Sequence, residues 1–301
     1  MIELARLRAL HAVSLYGTVF AAAEALHCTP SAVSQHLGKL EREIRAPLVE
    51  KDGRRLRLTE LGRVLAGHAG RVLAAVEEAE AAVAAHRDTV EGRVTVASIA
   101  TACRGLLPHA LETLAAEHPD LTVAVREGNP NVGLDLVQRG LADLAVADDW
   151  PEAVLELPPG MSHLELGFDV ADLLAPAGRF TGPVALADLF GERWISATPG
   201  AICHTWLLRV LPGVRPDFLI DEFATQFTLI ERGFGVALVP RLARTGVPAG
   251  VDVLEVTPPP TRRMVVVWRT AAGNRPAIRA TLEALQGAWA ALTTIKNEDP
   301  F

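Results

Sequence analysis

Hydrophobic and polar positions change their period twice along this chain, and the changes divide it into three zones. Residues 1–58 show the pattern of short amphipathic helices, with breaks at Gly17-Thr18 and Cys28-Thr29-Pro30. From Thr59 to about His86, apolar residues recur every three or four positions, which predicts one long helix. Beyond Gly92, short apolar runs alternate with helical patterns, which predicts strand–helix–strand units.

The third zone, residues 92–301, predicts an α/β domain of two similar lobes. Repeated strand–helix–strand units with right-handed crossovers favour parallel sheets, and the units fall into two sets. The candidate crossings between lobes are Leu155–Leu164 and Thr257–Arg263. Lobe I is then expected over about 92–158 and 262–292, and lobe II over about 164–257.

The predicted long helix carries an apolar seam with heptad-like spacing. An apolar stripe can simply lie on its own domain, and that alternative stays open. A helix this long, projecting from a small domain, has too little local surface to cover the seam, which favours a homodimer formed through residues 59–88. The seam consists of Leu61, Leu65, His68, Val72, Val76, Ala79 and Val83.

Length and composition fit several buried cores, since the chain has 301 residues and is 50% hydrophobic. The N-terminal run MIELARLRALHAV interleaves charged and apolar residues, so it does not resemble a signal peptide. No stretch approaches the roughly 20 uncharged apolar residues of a membrane helix. We therefore expect a cytoplasmic protein with no membrane association.

Charge is unevenly spread along the chain. Residues 1–58 hold nine Lys and Arg against six Asp and Glu, a net +3, which leaves −10 for the rest of a chain whose total is −7. A basic head on an acidic body indicates that the head alone meets a polyanion.

The cysteine pattern indicates neither disulfides nor metal. Cys28, Cys103 and Cys203 are widely spaced and no CxxC pair occurs, so we expect no structural zinc and no cofactor. Cys103 and Cys203 sit at comparable points of the two lobes, with His204 beside the second, which permits a redox or metal-sensing hypothesis. Isolated helical cysteines are more often buried small apolar residues, and we prefer that interpretation.

The stretch after Cys28 has the pattern of a groove-reading helix. Thr29 is a good N-cap and Pro30 suits the first helical position. At 100° per residue, one face is apolar, while the opposite face carries short polar side chains that can reach base edges and two basic side chains that suit phosphates. The apolar face has Val33, Leu37, Leu40 and Ile44; the polar face has Ser31, Ser34, Gln35, Gly38 and Arg42, with Lys39 at its edge.

Several spaced motifs resemble the LysR-type transcriptional regulators, and the resemblance extends over nearly the whole chain. In the head they are Ala22-Ala23-Glu24, Leu26, Pro30, Ala32-Val33-Ser34, Leu40-Glu41, Pro47-Leu48 and Leu58-Thr59 with Gly62; in the body they are GRVTVASI with LLP, and ERGFGVALVP. The resemblance implies an N-terminal winged helix-turn-helix, a linker helix and a two-lobed effector domain like that of periplasmic binding proteins.

The resemblance also implies which residues meet double-stranded promoter DNA. The run KDGRRLR at 51–57 would form the wing, with Asp52-Gly53 at its turn, although its arginines could also be ordinary solvated charges. Thr29 and Gln35 replace the residues usual at their positions, so they bear on operator preference. The expected DNA-binding residues are Thr29, Pro30, Ser31, Ser34, Gln35, Lys39, Arg42, Arg54, Arg55 and Arg57.

For the body, the resemblance implies a small-molecule effector, for which a small carboxylate is one candidate, since helix N-termini favour anions. The acidic Asp148, Asp149 and Glu152 argue the other way, and single hydroxyls could be mere N-caps. Family members often form homotetramers and contact RNA polymerase. The expected effector-binding residues are Ser98, Thr101, Ala102, Gly128, Asn129, Asp148, Thr198, Gly200, Phe223, Thr225 and Gln226.

Two other classes of protein remain as alternatives. An enzyme would need a nucleophile with a base or a metal cluster, and no GxSxG, HExxH or Walker-type loop occurs, so we expect no catalytic activity. A solute-binding transport protein would share the two lobes, but it would need export, and this N-terminus offers DNA-binding helices in place of a signal. DNA binding by residues 1–88 would discriminate between these classes.

Overall fold

The N-terminal part of the chain folds into a small helical domain with a hairpin. In this computed structural model, which describes residues 2–52, 55–87, 89–150 and 154–298, Leu10, Val33, Leu40 and Leu48 are fully buried at the centre of that domain. Its elements are α1 (Leu4–Tyr16), α2 (Val19–Ala25), α3 (Pro30–Ile44), β1 (Val49–Asp52), β2 (Arg55–Leu58) and the long helix α4 (Glu60–Arg87).

Threonine side chains cap three of these helices. Thr18, Thr29 and Thr59 accept hydrogen bonds from the backbone amides of Ala21, Ala32 and Gly62 at 3.1, 3.2 and 3.0 Å. A Cβ on Gly62 would lie 2.0 Å from the Leu48 carbonyl oxygen, which explains why glycine stands there and a capping-box glutamate does not.

The end of α3 contains an unusual backbone conformation. Arg45 is the C-cap and has φ of 59°, in the left-handed region where glycine is the favoured residue. A non-glycine residue there costs roughly 1 kcal/mol, so the turn into β1 is held by its surroundings. One such contact comes from Glu41, whose Oε1 accepts the backbone amides of Leu48 and Val49 at 2.8 and 3.2 Å.

The rest of the chain forms the two-lobed α/β domain. The strands of its central sheet are β3 (Gly92–Ser98), β4 (Leu121–Glu127), β5 (Leu144–Asp149), β6 (Met161–Pro176), β10 (Ala237–Pro240), β11 (Val251–Leu254) and β13 (Thr261–Arg269). Shorter strands are β7 (Val184–Ala185), β8 (Ile195–Ser196), β9 (Phe218–Leu219) and β12 (Val256–Thr257). The helices are α5 (Ala100–Gly105), α6 (Leu107–Glu117), α7 (Pro130–Gln138), α8 (Ile202–Val210), α9 (Phe223–Glu231) and α10 (Pro276–Glu298).

The central sheet is mixed, whereas the strand–helix–strand units of the sequence favoured parallel sheets. Strand β3 does pair in parallel with β4 and β5. Strand β13 runs antiparallel to both β5 and β6, because the chain returns to lobe I from lobe II and enters beside β5 from the opposite direction. The order along the main path is β10-β6-β13-β5-β3-β4.

The first crossing between lobes differs from the expected Leu155–Leu164. Strand β6 is continuous over Met161–Pro176 and serves both lobes. It pairs with β13 up to Val170 and with β10 and β11 from Ala171, so the lobes meet inside one strand. No turn marks this crossing, and the sequence pattern therefore could not locate it. The second crossing, between β12 and β13 at Pro258–Pro260, lies within the expected range.

Candidate DNA-binding surface and ligand cleft

Helix α3 presents one apolar face inward and one polar face outward. Val33, Leu37 and Leu40 are buried against α1 and the hairpin. The exposed side chains on the outer side are those of Thr29, Pro30, Ser31, Ser34, Gln35, Lys39 and Arg42. Both the cap at Thr29 and the division of faces therefore match the prediction from 3.6-residue periodicity.

The exposed face of α3 is free of internal contacts. The side chains of Ser31, Ser34, Gln35 and Lys39 make no hydrogen bond to any residue the structure describes, while Arg42 Nε donates to the Gly38 carbonyl at 3.2 Å. A Cβ on Gly38 would meet nothing within 4 Å, so intramolecular packing does not require glycine there. Close approach of an external surface would account for its cost of roughly 1 kcal/mol against alanine.

The hairpin of β1 and β2 lies in the position of a wing. Glu50 and Arg57 face each other across the two strands and form an ion pair of 2.6 Å, so the guanidinium of Arg57 already has a partner. Arg55 begins β2. Gly53 of the predicted turn and Arg54 lie outside the described residues.

Helix α4 leaves an apolar groove open. Val72 and Val83, two residues of the predicted seam, are 44% and 60% exposed. The groove has a volume of about 640 Å³ and is lined by Val72, Ala75, Val76, Ala79, Glu80, Val83 and Ala84. Ala66 and Ala69, which precede the groove on α4, are buried, whereas Val72 and Val83 in the groove stay exposed in the single chain.

A cleft of about 410 Å³ separates the two lobes. It lies where the turns after β3, β4 and β8 and the start of α9 converge. Of the residues named as effector-binding, the cleft is lined by Thr101, Gly128, Asn129, Asp148, Thr198, Gly200 and Phe223.

Four expected residues do not line this cleft. Ala102 is buried in the core of lobe I, and Ser98 is 2% exposed with its hydroxyl directed to the Ile99 carbonyl. Thr225 donates its hydroxyl to Glu222, which caps α9, and Gln226 donates Nε2 to the Ile220 carbonyl at 2.6 Å. Their polar groups are used within the fold.

The floor of the cleft is the buried Arg262 between Asp148 and Asp169, and of these three only Asp148 was expected at the site. Arg262 Nη1 donates to Asp148 Oδ2 at 2.7 Å, and Arg262 Nη2 donates to Asp169 Oδ2 at 2.8 Å and to Thr101 Oγ1 at 2.7 Å. Arg262, Asp148 and Asp169 are each at most 4% exposed. The only sequence signal was a charged pair, Arg262-Arg263, at the start of an apolar strand.

Burial and pairing shift the ionisation of this group of residues. Burial raises the pKa of Asp148, and the positive charge of Arg262 opposes that shift. For Arg262, burial acts to lower the pKa, but Asp148 and Asp169 outweigh it and the net shift is upward. The arginine is therefore charged, and the two aspartates compete for it.

A second cavity, of about 280 Å³, adjoins the cleft and shares Asn129, Pro130, Asp148 and Gly200 with it. Its wall contains Trp150, directly after β5 in lobe I, and Trp206, on α8 in lobe II. Their rings stack across the lobes with centroids 5.2 Å apart and an interplanar angle of 19°. A change in the separation of the lobes would alter this contact.

The cysteines differ in their exposure. Cys28 is exposed, whereas Cys103 and Cys203 are partly buried, and Cys203 lines the cleft. Burial raises the pKa of the Cys103 thiol and raises the pKa of the Cys203 thiol to about 11. Thiolates are the reactive form, so these shifts disfavour peroxide chemistry at neutral pH. Among the described residues, no group of three or more His, Cys, Asp or Glu side chains is placed to hold a metal.

A winged helix-turn-helix followed by a two-lobed binding domain defines a class of DNA-binding regulators. Residues 4–63 match the bacterial regulatory helix-turn-helix proteins of the lysR family, and residues 87–290 match the LysR substrate binding domain. The chain belongs to the LysR family of transcriptional regulators. No helix in the described part of the chain is long and apolar enough to cross a membrane.

Individual relatives share a quarter to a third of the sequence. The chain is 34% identical over 186 residues to the regulator CfxR of Cupriavidus necator, an alignment that covers 57% of this chain and 58% of CfxR. It is 26% identical over 253 residues to IlvY of Escherichia coli, covering 81% of this chain and 80% of IlvY.

Solved structures share the fold over nearly the whole length. A full-length OxyR variant from Pseudomonas aeruginosa superposes with a TM-score of 0.74 at 20% identity, covering 96% of this chain and 97% of that one. Full-length CbnR, solved in complex with its target DNA, gives a TM-score of 0.55 at 18% identity, covering 95% of this chain and 99% of that one.

Proposed function

We propose that this regulator reads promoter DNA with the exposed face of α3 and changes its action when a small molecule binds between its lobes. The observation that carries the first half is the unpartnered polar face of Ser31, Ser34 and Gln35. Short uncharged donors and acceptors on an exposed helix can reach base edges in a major groove. Thr29 and Pro30 at the N-terminus of α3 would approach the DNA with them.

The basic residues around α3 have a different role in this proposal. Lys39 lies free at the edge of the polar face and suits a phosphate, and Arg42 can turn from the Gly38 carbonyl to the DNA backbone. The wing arginines Arg54 and Arg55 would add minor-groove or backbone contacts. Arg57 would contribute less, because Glu50 already neutralises it.

The working unit is proposed to be a homodimer that pairs through α4. The open groove of Val72, Val76, Ala79 and Val83 runs along this helix, and two copies laid together would cover it. Two copies would also place two recognition helices on one duplex, so the operator should contain related half-sites. We further propose that two dimers pair into a homotetramer and that the protein contacts RNA polymerase. It would act in the cytoplasm, where the DNA lies.

The ligand-binding half of the proposal rests on the cleft between the lobes. Seven of the expected effector-binding residues line it, and the Trp150–Trp206 contact joins the lobes beside it. A ligand that touches both lobes would change their separation, and the N-terminal domain contacts lobe I directly. Arg269 in β13 pairs with Glu77 of α4 at 2.8 Å, and the Tyr16 hydroxyl donates to the Arg139 carbonyl at 3.1 Å. This arrangement supports a regulatory role for the protein and not a catalytic one.

Genome-wide footprinting with the purified full-length protein tests the proposal. We expect protection of a limited set of promoter sites, each with two related half-sites. Protection that is independent of sequence, or absent, would contradict a promoter-reading role. The genes beside the protected sites would also indicate the pathway that the ligand belongs to.

A further inference from the structure

Two buried polar atoms in the cavities between the lobes have no hydrogen-bond partner among the described residues. One is Asp148 Oδ1, an acceptor, on a residue that is 1% exposed and lines both cavities. The other is Trp150 Nε1, a donor, on a residue that is 4% exposed and lines the cavity shared with Asp148. Buried polar atoms are normally satisfied, so both atoms indicate a missing partner.

The positive charge in the cleft is already used, which disfavours an anion as its sole occupant. Arg262 has five N–H groups. Four of them donate within the fold: Nε to Asp169, Nη1 to Asp148, and Nη2 to Asp169 and Thr101. One N–H remains, so this guanidinium cannot grip a carboxylate with two parallel hydrogen bonds.

Two of the four helix N-termini at the cleft, those of α7 and α9, are occupied by side chains of the protein itself. Asn129 accepts the Val132 amide at the start of α7, at 3.0 Å, and Glu222 accepts the Ala224 and Thr225 amides at the start of α9, at 2.9 and 2.6 Å. Asp221 accepts the Thr198 amide at 2.8 Å. Helices α5 and α8 differ, because their N-caps Ile99 and Ala201 supply no side-chain hydrogen bond.

The charges that line the cleft are mainly negative. Glu127, Asp148 and Asp221 line it together with one cation, Arg262. The adjoining cavity adds Asp149 and Glu156 against Arg209, and Asp149 already pairs with Arg263. A positively charged group beside Asp148 would offset this excess of negative charge. It would also oppose the effect of burial, which raises the pKa of Asp148.

We propose that the cleft binds a small molecule that carries both a protonated amine and a hydrogen-bond acceptor. The amine donates a hydrogen bond to Asp148 Oδ1. The acceptor accepts a hydrogen bond from Trp150 Nε1 or from the backbone amides at the start of α8. A free amino acid is the simplest molecule with both groups. This inference rests on the proposed ligand-responsive function and narrows it to a ligand class that differs from the simple carboxylate considered above.

The test uses full-length protein and matched ligands. The proteinogenic amino acids are screened by thermal shift, and each one that binds is compared, by calorimetry, with the acid that lacks its amino group and the amine that lacks its carboxylate. We expect at least one amino acid to raise Tm and its deaminated acid to bind about ten- to a hundredfold more weakly, as for the loss of a charged hydrogen bond. If no amino acid binds, or a deaminated acid binds equally well, the inference is wrong.

Variants locate the amine in the cleft. Asp148→Asn should weaken the amino acid about ten- to a hundredfold. Asp172→Asn is the matched control, since Asp172 is a buried aspartate paired with Arg241 and Arg244 outside both cavities. Trp150→Phe keeps an aromatic ring beside Trp206 and removes the donor, so it should weaken binding about two- to tenfold without touching the aspartates. Unchanged affinity in both cleft variants would overturn the assignment.

Footprinting of the same preparations separates this inference from the proposed function. Protected promoter sites with no amino-acid binding would reject the ligand class alone. Absence of protected sites would reject the proposed function itself, whatever binds in the cleft.

Discussion

The DNA-binding face of α3 and the floor of the cleft are both polar, but they are built in opposite ways. On α3, Ser31, Ser34 and Gln35 are exposed and have no partner in the described part of the chain. In the cleft, the buried Arg262 donates hydrogen bonds to the buried Asp148 and Asp169. Asp148 Oδ1 has no hydrogen-bond partner among the described residues. The α3 face would therefore recognise DNA through exposed side chains. The cleft holds its charged groups in fixed positions and offers one acceptor, Asp148 Oδ1, to a ligand.

This difference has consequences for stability. Removing an exposed side chain that has no partner should change recognition and leave the fold intact. Removing one member of the buried group should change the fold, because its partners would stay behind as uncompensated charges. The apolar groove of α4 belongs with α3 in this comparison, since its proposed partner is also another molecule.

The largest effect is expected where charge is added to the α4 groove. Val72→Glu combined with Val76→Glu would place several carboxylates in the proposed interface, each costing several kcal/mol when desolvated. We expect a folded monomer by sedimentation velocity. Ala74→Glu adds one carboxylate at an exposed α4 position outside the groove and should stay dimeric. An unchanged dimer in the double variant would exclude pairing through this groove.

The next largest effect is expected for Arg262→Leu. It leaves Asp148 and Asp169 buried without their cation, and loss of one partner of a buried pair typically lowers the free energy of unfolding by about 3–5 kcal/mol. Urea denaturation followed by tryptophan fluorescence measures the loss. Arg57→Leu is the exposed counterpart, because its ion pair with Glu50 is on the surface, and it should cost less than about 1 kcal/mol. Equal losses would contradict the contrast between buried and open polar groups.

Within the open surface, Gln35 and Lys39 should act differently on DNA. Gln35→Ala should relax base preference at one operator position by about 1–3 kcal/mol, as for loss of one base contact. Lys39→Ala should weaken binding to all sequences and make the salt dependence shallower, as for loss of one phosphate contact. Competition binding against a set of single-base operator variants, repeated at several salt concentrations, distinguishes the two. Losses that ignore sequence in both variants would refute the assignment of roles.

The sequence could predict the α3 face better than the floor of the cleft. The cap at Thr29, the buried face of α3 and the long helix α4 depend on neighbours within a few residues, and residue type and periodicity predicted them. The buried group joins Arg262 to Asp148, 114 positions earlier, and to Thr101, 161 positions earlier. Those partners become neighbours only because β13 enters between β5 and β6. The crossing inside β6 was missed for a related reason, since one uninterrupted strand gives no local signal of a boundary.

Thr29 belongs both to the fold and to the DNA-binding face, and it should give the smallest effect. Its hydroxyl oxygen accepts the Ala32 amide and caps α3, so Thr29→Ala should lower the free energy of unfolding by about 1 kcal/mol. Thr29→Ser keeps the hydroxyl and removes only the methyl group, so the stability should stay near that of the parent.

The serine variant then separates the two roles of this residue on DNA. An exposed threonine methyl group can contact the methyl group of thymine in the major groove. If Thr29 reads a base in this way, Thr29→Ser should alter operator preference at one position while the unfolding curve stays in place. If the serine variant binds every operator as the parent does, Thr29 serves the helix alone, and the base-reading surface begins at Ser31.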